Sequence, residues 1–106
     1  MRRLIAALLL SIPLAAQGVK LSQDGCMSLA EFVYSAAQIR DLGASEAKHA
    51  AIVEQEAKDA GAPEELRVIF LEALAAVYKS KAGPETLARV VFDQCIAADG
   101  KMGEGV

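Results

Sequence analysis

The only histidine, His49, stands three residues after Glu46. On a helix that spacing places both side chains on one face, the arrangement used by carboxylate-bridged metal centres in helical bundles. Such centres need the pair on two helices together with two further inward glutamates, and this chain supplies it once. His49 lies beside an alanine stripe on a charged surface and is expected to be a solvated residue near a helix start. No metal site is therefore assigned. Glu54, Glu56 and Asp59 fall with Lys58 on one polar helix side, whereas Glu64, Glu65 and Glu85 occupy first turns, where the helix dipole favours an acid. None of these carboxylates forms a pair suited to acid–base work. Ser22, Ser28, Ser35, Ser45 and Ser80 have no histidine or acid at a recognisable nucleophile spacing. Glycines occur singly at helix ends, so there is no phosphate-cradling loop. The residues supply no catalytic constellation and call for no cofactor, and the chain is read as non-enzymatic.

Cys26 and Cys95 are the only thiols. Their chemistry depends on compartment, and the N-terminus speaks to that. Arg2 and Arg3 form a positive start, Leu4 to Ile12 an apolar run broken only by Ser11, and Pro13 a stop. Leu14-Ala15-Ala16-Gln17-Gly18 then supplies small residues for cleavage. This is signal-peptide grammar, and the run is far short of the roughly 20 residues of a membrane span. Residues 1–16 are expected to be the signal, with cleavage between 16 and 18 and no stable membrane anchor afterwards. In an exported chain an even cysteine pair reads as a disulfide. Closing a loop of about 70 residues is worth roughly 4 kcal/mol on the chain-entropy model. The polar Gln23-Asp24-Gly25 before Cys26 argues against lipidation there. Losing Arg2 and Arg3 leaves nine basic against 14 acidic residues, a net charge of −5. An acidic domain of that kind is not built to neutralise phosphates, so nucleic acid is not an expected partner.

Four helices are expected to carry these residues across 17–100, followed by a flexible tail at 101–106. Ser28-Leu29-Ala30-Glu31 has the capping-box pattern, and Leu29, Phe32, Val33, Ala36 and Ile39 follow as one helix face. A start at Asp24 would instead take Cys26 into the first turn. Gly43 ends this helix, with Arg40-Asp41 as surface charge near its close. Ser45 caps the second helix, whose thin stripe is Ala50, Val53, Ala57 and Ala60, with Gly61 as its stop. Pro63 opens the third at its first position and Pro84 the fourth, which runs to about Asp99. There is no strand signal and no internal repeat. Short connections favour antiparallel neighbours. The fold class is all-α, an antiparallel four-helix bundle or a looser four-helix array, after the signal and with one disulfide.

The third helix is apolar over too wide an arc. Leu66, Phe70, Ala73 and Val77 form one stripe, and Leu71, Leu74 and Tyr78 extend it well beyond the somewhat over 100° that a surface helix buries. In the fourth, Phe92 and Ile96 are set off from the Leu87–Val91–Cys95 face. Central burial of the third helix would absorb the surplus; so would a ligand, a second copy or a partner. Leu71, Tyr78, Phe92 and Ile96 are the candidate protein-interaction residues.

The signal, Cys26, the Arg40-Asp41-Leu42-Gly43 helix stop and Cys95 together resemble the small secreted, all-helical, two-cysteine proteins of unknown function from Gram-negative bacteria. The format is also similar to periplasmic acid-stress chaperones and to helical immunity proteins. The chaperones keep their cysteines closer together than Cys26 and Cys95, and no residue diagnostic of immunity proteins is matched. The expected function is a non-catalytic periplasmic or secreted interaction protein, a binder, inhibitor or chaperone, that meets an unidentified protein or a second copy of itself. The alternative is a carrier holding a small apolar ligand between its helices.

Overall fold

A computed structural model of the chain describes residues 21–98. The signal, its cleavage site, the tail and the expected helix end at Asp99 lie outside them. The described residues form four α-helices: α1 (Gln23–Asp41), α2 (Glu46–Ala60), α3 (Glu64–Lys79) and α4 (Pro84–Ala97), with no strand among them. Cys26 and Cys95 form a disulfide, with Cα atoms 5.7 Å apart, that ties the first turn of α1 to the last turn of α4.

Helix α1 starts earlier than the capping-box pattern at Ser28 implies. The Ser22 side chain accepts from the Gly25 amide at 3.0 Å and caps the helix. Ser28 is an exposed residue within the helix. Gly25 has a local reason: a Cβ there would come within 3.1 Å of Leu21 Cβ, and Leu21 packs against the core. At the other end Gly43 adopts φ 99°, its amide donates to Arg40 O, and the Ala44 amide reaches back to Ile39 O. Helix α2 closes in the same way: Gly61 has φ 67°, with Gly61 N–H to Lys58 O and Ala62 N–H to Ala57 O. These paired bonds make two Schellman stops, which need a left-handed residue that glycine adopts without a Cβ clash. Ser45 caps α2 through the Lys48 amide, as its position implies. Pro63 is the residue before α3 rather than its first, and Pro84 opens α4.

Helix α1 is the central element. It buries Cys26, Leu29, Ala30, Val33, Ala36 and Ala37, packs most extensively against α4, and also contacts α3. Alanines at three of those positions let its neighbours approach closely. Helix α2 lies on α3 and buries only His49 and Val53, neither of them completely. Three sequence expectations change here. Ile39, assigned to the core face of α1, is exposed. On α2 the expected Ala50, Val53 and Ala57 face inward, His49 joins them, and Ala60 is exposed. Arg40 is not surface charge. Its side chain is 13% exposed, and its guanidinium donates to Val77 O, Ser80 O and Ala82 O at 2.9, 3.0 and 2.9 Å. Arg40 thus gathers, from α1, one carbonyl of the last turn of α3, which also accepts from the Ser80 amide, and two carbonyls of the turn that leads to α4. Asp41 pairs with the same group at 2.8 Å.

Candidate interaction site

His49 is buried, 9% exposed, which corrects the expectation of a solvated histidine. Its Nδ1 shares a 3.3 Å hydrogen bond with the Tyr78 hydroxyl of α3. The two rings meet edge to face, centroids 6.0 Å apart, and Phe32 of α1 lies 6.4 Å from the imidazole. Phe32 in turn packs T-shaped against Phe70 of α3 at 4.9 Å. An aromatic chain, Tyr78–His49–Phe32–Phe70, therefore joins three helices. Glu46, the spacing partner of His49, is exposed. Among the described residues no group of three or more His, Cys, Asp or Glu side chains is placed to hold a metal ion.

At the Phe32–Phe70 end of this chain the helices separate and leave a pocket of about 270 Å³ that opens to solvent. Its walls are Phe32 from α1, Val53 and Ala57 from α2, Ala62 from the α2–α3 turn, and Leu66 and Phe70 from α3. The gap has a local origin. Ala57 and Ala62 project only a methyl group, and the stop at Gly61 turns the chain directly into α3, holding the helices apart without side chains long enough to fill the space. Glu56 and Arg67 are the polar residues at the wall. Arg67 is held by two carboxylates, Glu64 at 2.8 Å and Glu54 at 3.4 Å. The arrangement can take up an apolar group through a charged mouth. It holds no nucleophile–base pair.

A larger hollow of about 450 Å³ runs along the outer side of α2. Among the described residues its lining, from Ala47 to Lys58, belongs to that one helix.

The four interaction residues named from sequence do not gather at the pocket. Leu71, Tyr78 and Phe92 are half-buried and pack against the core, and the Tyr78 hydroxyl is engaged by His49. Ile96 is 42% exposed on the last turn of α4. Much of the apolar surplus of α3 is thus met inside the chain: Leu74 is fully buried with Ile69, Ala73 and Val77. Leu42, at 87% exposed, and Ile52 are the most exposed large apolar side chains. The pocket itself was missed, although Phe32, Val53, Ala57, Leu66 and Phe70 all stand in helical stripes. Periodicity marks inward residues and carries no sign of where inward residues fail to meet.

Among the described residues no helix is long and apolar enough to cross a membrane. No family model, curated protein or solved structure matches this chain.

Proposed function

We propose that the chain is an exported, non-catalytic interaction module that binds another polypeptide as a binder, inhibitor or chaperone. The signal grammar of residues 1–16 and the Cys26–Cys95 disulfide support export to a periplasmic or extracellular space. An antiparallel bundle is the arrangement we favour. The disulfide sets the start of α1 beside the end of α4, while Arg40 sets the end of α1 beside the turn that leads into α4. Net charge of either −3 or −5 speaks against nucleic acid as the partner.

The observation that carries the binding role is the solvent-open apolar pocket between α1, α2 and α3. A hydrophobic recess with polar groups at its mouth is the form that receives an anchor side chain in protein recognition. The same apolar lining favours a second reading, a carrier of a small apolar molecule, and size decides between them. Ligand sites run from about 300 to 1,000 Å³ and bury most of their ligand. At about 270 Å³ this recess lies just under that range and opens to solvent, a form that suits one protruding group whose owner stays outside.

Two measurements on natively purified protein test the proposal. Immobilised wild type should retain a polypeptide from the export compartment, and an Ala57→Phe variant, in which the pocket is filled, should retain much less. Native mass spectrometry should show no bound small molecule. A lipid or metabolite adduct lost in Ala57→Phe, with no retained polypeptide, would establish the carrier instead.

A further inference from the structure

Resting on the polypeptide-binding reading above, we infer the chemistry of the partner: the pocket takes a large apolar side chain from a cationic amphipathic segment. Two observations converge on that class. The first is size, since about 270 Å³ open to solvent admits one large side chain and leaves the rest of its owner outside. The second is the charge of the mouth. Glu56 and Arg67 are the charged residues of the lining, and Arg67 is itself paired with Glu54 and Glu64, two carboxylates for one guanidinium. Arg67 is already engaged on both terminal nitrogens, at 3.4 and 2.8 Å. The two carboxylates offset its charge, so an anionic ligand such as a fatty acid would approach against a net negative surround. A lysine or arginine beside the anchor instead meets uncompensated negative charge at the mouth, on a chain whose overall charge is also negative. Complementary fields of this kind steer encounter and reject partners of the wrong sign.

The test uses the oxidised, mature-length protein and three synthetic peptides of one length, followed by fluorescence anisotropy at low and moderate salt. One peptide carries leucine and phenylalanine on one helical face and lysine on the other. The second keeps the apolar face and replaces lysine with glutamate. The third keeps lysine and replaces the apolar face with serine. The first peptide should bind, with affinity falling as salt rises, and each of the others should bind at least about tenfold more weakly. Ala57→Phe should abolish binding of the first peptide. Glu54→Gln with Glu56→Gln, both on the exposed side of α2, should weaken it roughly two- to fivefold per carboxylate and leave the helical circular dichroism unchanged. This second variant keeps the inference falsifiable should Ala57→Phe not fold. Equal binding of the lysine and glutamate peptides would overturn the charge assignment. Binding of the serine peptide as tight as the first would overturn the anchor. A polypeptide retained by wild type and lost in Ala57→Phe, alongside a cationic peptide that does not bind, would sink this inference and leave the polypeptide-binding role standing.

Discussion

At the scale of single residues, Arg40 and His49 hold the helices in place, and each does so with a polar group brought inside. Arg40 spans from α1 to three carbonyls 37 to 42 residues further along the chain. Hydrogen bonds to a charged donor contribute about 1.5–3 kcal/mol, and removing the donor takes that bond from the Ser80 and Ala82 carbonyls while Val77 O keeps the Ser80 amide. Arg40→Leu should therefore lower unfolding free energy by about 3 kcal/mol in a urea titration. Arg40→Lys should recover only part of this, since a single ammonium cannot reproduce the fork of guanidinium donors. An Arg40→Leu midpoint equal to wild type would show that water replaces the guanidinium at no cost. His49→Ala removes a buried ring and strips the Tyr78 hydroxyl of its partner, so a loss of about 1–3 kcal/mol is expected by the same titration. Neither role was legible in the sequence. Arg40 near a helix C-terminus is explained locally by the dipole, and His49 near a helix start by solvation. Both local accounts suffice until the third helix is placed against them, and nothing in the sequence near either residue reports that placement.

Helix α2 differs from the other elements in how little it buries. Two buried side chains, one 3.3 Å hydrogen bond and one 3.4 Å ion pair attach it to α3, and left-handed glycines stand at both its ends. The disulfide, by contrast, ties α1 to α4. Local openings draw on elements with few buried apolar contacts. Native-state hydrogen exchange at graded denaturant should find α2 amides exchanging through an opening less costly than global unfolding, with α1 and α4 amides protected to the global limit. Merging of all four helices into one isotherm would contradict this. Element boundaries are where the sequence was most informative. Gly43, Gly61 and Gly83-Pro84 mark stops that depend on neighbours within five residues, so the four helices could be read directly. The start of α1 lay between two readings, a capping box at Ser28 or a start near Asp24 with Cys26 in the first turn; the helix begins at Gln23, which sets Cys26 in the first turn, where it bonds Cys95.

Over the whole molecule, the loop closed by the disulfide spans 69 residues of sequence and takes in α2, α3 and most of α1 and α4. Closing a loop of that length is worth about 4 kcal/mol, a large share of the 5–15 kcal/mol available to a small domain. Cys26→Ser or Cys95→Ser should each lower stability by that order in a thermal or urea melt, and protein isolated without reductant should show no free thiol. Two titratable thiols would remove the covalent frame. The pairing could be read from sequence because parity and the signal-like pattern of residues 1–16 need no tertiary information. The pocket could not, because it arises where three helices diverge over two alanines. Its role is tested most directly in the living compartment, by placing a photo-crosslinking amino acid at Ala62 on the pocket wall and, as a control, at exposed Arg89 on α4. Binding through the pocket predicts a discrete polypeptide adduct from position 62 and none from position 89. No adduct at 62, or the same adducts from both positions, would contradict it.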